Sequence, residues 1–212
     1  MADVLNTLPV SRRLPAGHYG AATSAPGVVA VEILRAAAML VAGRGQGGSV
    51  AATATAALGV PLVDGPCCAH ADGFEFIGIG PGRWLVIAEG DGEALTQRLE
   101  ASFAPASVVD QSGGLVIFEV SGACLDKTLP KFVAVDLDDA IFPIGAAATT
   151  TAAHINLTLW RVGAESWRFA IGRSYAAAFL RLLAVSAAEF GFELRCDPCR
   201  ISNASKNIPL MK

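Results

Sequence analysis

A glycine-rich run at residues 43–48, GRGQGG, places Gly43, Gly45 and Gly48 in the G-x-G-x-x-G spacing of a dinucleotide-binding turn, with Asp64 further on where a ribose-binding acid would sit. The motif needs a strand–helix–strand unit around it, but the segments C-terminal to residue 58 read as hairpins, with Pro61 interrupting the next apolar segment. A Gly-rich turn is therefore the preferred reading. Cys196 and Cys199 have the spacing of a redox pair or half a zinc site, but they open a polar stretch with no helix pattern after it. Cys67 and Cys68 are adjacent, which suits a tetrahedral metal poorly, and no zinc site is expected. His18, His70 and His154 are far apart, and no G-x-S-x-G surrounds a serine. Asp136, Asp138 and Asp139 read as a solvated loop, while Arg173 and Ser174 could offer an anion site or simply start a helix.

The elements that must carry these residues are set by periodicity. Residues 28–35 and 36–42 read as strands, and 49–58 as a helix closed by Gly59 and Pro61. Residues 74–79 and 84–88 form a hairpin around GPGR, where Pro81 presets φ and Gly82 accepts a positive φ. Residues 93–103 carry Leu95, Leu99 and Phe103 on one helical stripe. Strands at 108–110 and 115–120 precede a short helix at 123–129, stopped by Pro130. After a loop, 147–151, 154–160 and 167–171 read as strands, with His154 on the polar face of the second. A helix at 175–190 has Ser174 as N-cap and Gly191 after its end.

Two hairpin–helix units thus look alike, one around Trp84 and one around Trp167. They point to an α+β fold of antiparallel sheets with covering helices. Residues 1–26 read as an irregular leader, 27–194 as one α+β unit, and 195–212 as a polar tail.

Composition bounds the function. Hydrophobic residues make up 53% of the 212 and charged residues only 17%, which excludes a disordered chain. The uncharged stretches contain Pro, Gly and Thr, so no membrane span is expected. A net charge of −3 with scattered Lys and Arg gives no footprint for nucleic acid. Five irregularly spaced cysteines and the absence of a visible secretory signal indicate the cytoplasm. The charge deficit concentrates in two helices, 49–58 and 175–190. A helix apolar nearly all round is buried on more than one side, so a permanent protein partner is expected. Its contacts are expected at Tyr175, Phe179, Leu182, Leu183 and Phe190.

Four stretches, GPGRWLVIA, VVDQSGGLVIFEVSGACLDKTL, FPIGAAATTTAAHINLTLWRV and FAIGRSYAAAFLRLL through EFG, together resemble the gamma subunit of heterotetrameric sarcosine oxidase, from about residue 28 to 191. The small subunit of N-methylglutamate dehydrogenase is similar over the same stretches. The resemblance implies a fold like the folate-binding domain of aminomethyltransferases, with the Ser121–Gly122 to Leu129 pattern part of the likeness. It implies a non-catalytic accessory subunit with alpha, beta and delta partners, alpha most directly. FAD, FMN, NAD, zinc and tetrahydrofolate would belong to those partners, and no catalytic, cofactor or metal residue carries over to this chain. The implied chemistry oxidises the N-methyl group of sarcosine, giving glycine, a one-carbon unit passed to tetrahydrofolate, and hydrogen peroxide. A stand-alone folate-binding one-carbon-transfer protein is the alternative from another class.

Overall fold

The computed structural model describes residues 13–71 and 73–196. Among them, twelve strands form two sheets, and helices cover the outer face of each. The strands are β1 (Gly17–Tyr19), β2 (Val28–Ile33), β3 (Ala36–Val41), β4 (Cys68–Ala71), β5 (Phe74–Gly80), β6 (Arg83–Ala88), β7 (Ser107–Asp110), β8 (Leu115–Ser121), β9 (Ala147–Ala152), β10 (Ile155–Gly163), β11 (Ser166–Gly172) and β12 (Phe192–Arg195). The helices are α1 (Gly47–Leu58), α2 (Gly92–Phe103), α3 (Leu125–Thr128) and α4 (Ala176–Ser186). One sheet runs β4-β5-β6-β3-β7 and the other β1-β12-β2-β8-β11-β10-β9. All pairs are antiparallel except β12 with β2. The α+β expectation of antiparallel sheets with covering helices describes this architecture.

Alternation on the strands builds three apolar layers. Ala36, Ala38, Leu40, Phe76, Trp84 and Val86 face outward to α1 and α2. Phe118, Val120, Leu159, Trp167 and Phe169 face outward to α4 and Phe179. Between the sheets lie Ala37, Ile77, Leu85, Ile87, Ile117, Trp160 and Ala170.

The two hairpin–helix units are β5–β6–α2 and β10–β11–α4, and their sheets match in order, β4-β5-β6-β3 against β9-β10-β11-β8. The next position is exchanged. β2 leads directly into β3, yet pairs with β8 of the other sheet. β7 leads into β8, yet pairs with β3. Each half lends its first strand to its counterpart.

Local signals set several boundaries. Gly59 ends α1 in the left-handed region at φ 64. Gly82 turns the β5–β6 hairpin at φ 64. Asp91 caps α2 by accepting from the Ala94 N–H at 2.8 Å. Four expectations are corrected. Ser174 is no cap: it lies in a 3-10 turn, Arg173–Tyr175, ahead of α4, which has no side-chain cap. Pro130 does not stop the helix; it sits in the 3-10 turn Leu129–Lys131 that continues it, where its missing N–H costs nothing. His154 is not on a strand face, because Ala153 and His154, at φ 44 and 74, are the two loop residues between β9 and β10. The leader is not wholly irregular, since β1 pairs with β12 and Leu14 and Tyr19 enter the core.

The leader also runs beside the 3-10 turn Ala188–Phe190 that follows α4. Ala21 N–H donates to Ala188 O at 2.7 Å, and Gly27 N–H to Phe190 O at 2.9 Å. No helix among the described residues is long and apolar enough to cross a membrane.

Candidate functional site: a charged cleft at the edge of the sheet interface

The layer between the sheets is apolar at its centre and ionic at one margin. Glu75 on β5 lies on the face of its sheet that carries Ile77, and Arg168 on β11 shares a face with Ala170. Arg168 bridges the two sheets. Its Nη1 pairs with Glu75 Oε1 across the layer, and its Nε donates to Glu119 Oε2 on the neighbouring strand at 2.9 Å. Beside this network opens a cleft of about 750 Å³. Its wall carries Arg35, Arg98, Arg161, Arg168, Glu75 and Glu89.

Burial acts on these groups in opposition to their partners. Desolvation raises the Glu75 carboxyl above the ordinary glutamate value, and Arg168, then the indole N–H of Trp160, pull it back without cancelling the rise. Glu75 Oε2 and Trp160 Nε1 are both buried without a well-formed hydrogen bond, so the charge here is held by Arg168 above all. Burial, with Glu75 adding to it, pushes the Cys68 thiol up to about 12. At neutral pH that thiol is protonated and a poor nucleophile.

The other arginines hold the protein together. Arg161, buried, donates to Asp139 Oδ1 at 2.6 Å, Phe142 O at 3.1 Å, Ala164 O at 3.0 Å and Gly163 O at 3.2 Å. The Arg98 guanidinium stacks 4.3 Å from the centre of the Phe74 ring. Arg35 Nη2 lies 3.4 Å from the largely exposed Glu89.

The residues singled out in the sequence do not converge. At the GRGQGG run, the Asp64 carboxylate sits against the start of α1: a Cβ on Gly47 would lie 2.0 Å from Asp64 Oδ2. Asp64 also accepts from the Gly82 N–H at 2.6 Å. A carboxylate thus occupies the place a dinucleotide pyrophosphate would need, and the run is a structural turn. Arg173 is structural too, donating to the carbonyls of Gly113 at 2.7 Å and of Ser112 and Leu115 at 2.9 Å. Asp136 and Asp138 accept from backbone N–H groups two residues on, and only Asp139 reaches an arginine. His18 lies 3.7 Å from Glu193, His154 is exposed in its turn, and His70 alone lines the cleft, on β4 with Cys68. Cys196 is exposed, and Cys199 with the rest of the tail lies outside the described residues, as do residues 1–12. Among the described residues no three or more His, Cys, Asp or Glu side chains are grouped to hold a metal.

Of the five residues expected to meet a partner, Phe179 and Leu183 have no exposed surface. Phe179 stacks on Phe118 and Phe169 with centroids 5.8 and 5.3 Å away. Both belong to the core, which corrects that expectation. Phe190 is half-buried, with Lys131 Nζ 4.7 Å from its ring centre. Leu182 is half-buried, and Tyr175 is 53% exposed.

Sequence reasoning missed the ion network, although it left a signal. The first strand of one hairpin carries FEF at Phe74–Glu75–Phe76 and the second strand of the other carries WRF at Trp167–Arg168–Phe169, charges of opposite sign each set between large apolar residues. A charge placed between large apolar residues on a covered strand needs a partner of opposite sign inside.

The comparisons with known proteins agree with one another. The family model for the sarcosine oxidase gamma subunit family matches residues 43–189. Sarcosine oxidase subunit gamma of Corynebacterium sp. (strain P-1) is 30% identical over 189 residues, 86% of this chain and 93% of that one. The subunit of the same name from Arthrobacter sp. is 31% identical over 163 residues, 74% of this chain and 80% of that one. The solved heterotetrameric sarcosine oxidase from Corynebacterium sp. U-96, in complex with pyrrole 2-carboxylate, has a chain that superposes with a TM-score of 0.69 at 28% identity, covering 81% of this chain and 88% of that one. Glycine cleavage system aminomethyltransferase T from Bartonella henselae shares the fold, with a TM-score of 0.55 at 12% identity over 80% of this chain and 48% of its own. The match of sequence over most of the chain, and of architecture with it, shows that this chain belongs to the sarcosine oxidase gamma subunit family.

Proposed function

We propose that the chain is a non-catalytic accessory subunit of a heterotetrameric sarcosine oxidase in the cytoplasm, assembled with alpha, beta and delta subunits and packed most directly against alpha. FAD, FMN, NAD, zinc and tetrahydrofolate are held by the other subunits. The assembly oxidises sarcosine to glycine, passes the one-carbon unit to tetrahydrofolate and reduces oxygen to hydrogen peroxide. The observation that carries the accessory role is the state of the cleft. Its buried ions are engaged with one another or with backbone carbonyls, and its thiol is protonated. Such groups fix a structure; they are poor at accepting or donating a proton during turnover. Around α4, Tyr175 with the margins of Leu182 and Phe190 supplies apolar surface to the assembly, and Phe179 and Leu183 support it from below.

Expressing all four subunits with and without this chain tests the reading. The chain should co-purify in stoichiometric amount, and its omission should lower the yield of intact complex. Cys68→Ser and His70→Ala should leave sarcosine turnover of the assembled complex unchanged. A complex that forms and turns over fully without the chain overturns the accessory role. Loss of turnover in an intact C68S or H70A complex shows that the chain takes part in the chemistry. Turnover of N-methylglutamate in preference to sarcosine reassigns the substrate.

A further inference from the structure

Arg161 lines a second concavity besides the cleft, a groove of about 340 Å³ between α3 and the tip of the β10–β11 hairpin. Its floor is apolar. Leu129 and Trp167 are buried there and Leu137 is half-buried. Its rim carries Asp126, Asp139 and Glu165, all exposed. The rim is held in place by bonds already made. Gly122 N–H donates to Glu165 O at 3.0 Å, Arg161 donates to Ala164 O at 3.0 Å, and Arg161 holds the Asp139 carboxylate.

The charge of this groove is not balanced within the chain. Arg161 is the one cation on the lining, and it pairs with Asp139 and donates to the carbonyls of Phe142, Gly163 and Ala164. Asp126 and Glu165 have no cation partner among the described residues. Lys127 lies off the lining, and Lys131 pairs with Glu189. On either side of Leu137, the exposed Asp136 and Asp138 accept only from backbone N–H groups and add charge of the same sign. Covering the floor is favourable, because it removes apolar surface from water. Covering Asp126 and Glu165 without a cation would strand two carboxylates. An occupant that closes this groove therefore brings positive charge with it.

We propose that the groove between α3 and the β10–β11 hairpin docks another subunit of the complex, which seats there a segment with an apolar side chain on Leu137 and basic side chains, arginine or lysine, at Asp126 and Glu165. The inference rests on the subunit reading above and names where this chain meets its neighbour. The carboxylates steer the basic segment in, and the apolar floor holds it. Association therefore weakens with added salt through Asp126 and Glu165, while the contribution of the floor persists at every ionic strength.

The test uses the co-expressed complex with three altered chains. Asp126→Lys with Glu165→Lys reverses the rim, and Ala123→Trp plugs the groove from an exposed position on its lining. Glu93→Lys with Glu100→Lys makes the same change of charge on the exposed face of α2 and is the control. Retention of the chain is measured by size-exclusion chromatography at graded dilution and salt, and folding of each variant by circular dichroism and unfolding temperature. The rim reversal should weaken retention at least tenfold at low salt and flatten its salt dependence. Ala123→Trp should weaken it at least tenfold at both low and high salt, and the α2 control should match the unmodified chain. Folded rim and plug variants that assemble like the unmodified chain overturn the docking surface while leaving the subunit reading intact. Equal weakening by the α2 control also overturns it, because the effect then belongs to net charge and not to this groove. So does a result in which the rim and plug variants disrupt only self-association, which assigns the groove to a second copy. If even the unmodified chain fails to co-purify, the subunit reading fails and takes this inference with it.

Discussion

The two halves of the molecule cover equivalent sheets with different materials. On the five-stranded side α1 presents Gly47, Val50, Ala51 and Ala54, so little more than backbone and methyl groups lie against the strands. On the seven-stranded side α4 presents Phe179, Leu180 and Leu183, and Phe179 sits among the rings of Phe118, Phe132 and Phe169. Buried aromatic rings bring more apolar area and preferred ring geometries per residue. The counterpart of α4 in the repeated unit is α2, whose Leu95, Leu99 and Phe103 supply the large side chains of the first core beside the small residues of α1. Repetition of a supersecondary unit therefore repeats the topology, while each copy solves its own packing.

The contrast can be broken most directly at the centre of each helix. Phe179→Ala should cost about 3–5 kcal/mol, as truncations of buried aromatics do. Val50→Ala on α1 removes only two methyl groups and should cost about 1.5 kcal/mol. Thermal or denaturant unfolding of the two variants measures the ratio, and equal losses would erase the distinction between the halves.

The junction between the halves gives the next effect. Arg168→Met leaves Glu75 buried without its cation and should cost about 3 kcal/mol at neutral pH, the low end for breaking a buried pair. The sign of its pH dependence is set by the raised Glu75 carboxyl. An acid whose folded value lies above its unfolded value binds more protons when folded, so stability falls as pH rises from the unfolded glutamate value through the folded one. The loss in Arg168→Met should therefore shrink at acid pH, where Glu75 is protonated, and unfolding monitored from pH 4 to 8 checks the direction.

The smallest difference lies at the helix starts. Asp91→Ala removes the side-chain cap of α2 and should cost about 1 kcal/mol, whereas Ser174→Ala, ahead of uncapped α4, should stay within about 0.5 kcal/mol. Comparable unfolding temperatures for the two variants would remove this contrast.

Elements with a complete local signal were legible in the sequence. The GPGR hairpin, the Leu95–Leu99–Phe103 stripe and the Gly59 terminus all depend on neighbours within a few residues, and the structure places them where periodicity and turn chemistry do. The short strands β1, β4 and β12 were not read, because three or four residues carry too little pattern and their pairing is made elsewhere in the chain. β12 exists as a strand because β2, some 160 residues earlier, lies parallel to it. Ser174 had the right residue type for a cap but the wrong geometry, and His154 continued an alternation that the backbone ends with a tight turn. The family resemblance was visible in ordered stretches of sequence, whereas the cleft was not. Its wall draws Arg35, Glu75, Arg98 and Arg168 from a strand link, two strands and a helix, and only the fold brings them together.

The exchanged strands have a mechanical consequence. Leu34 and Arg35 are all that separates β2, held in one sheet by β8 and β12, from β3, held in the other by β6 and β7. The short return from β7 to β8 ties the sheets a second time, in the opposite sense. Neither layer can slide over the other without tearing a ladder in each, so the pair responds to load as a single plate. Arg35, on the cleft wall, is part of one of those two ties, so its side chain is anchored to both layers through covalent bonds.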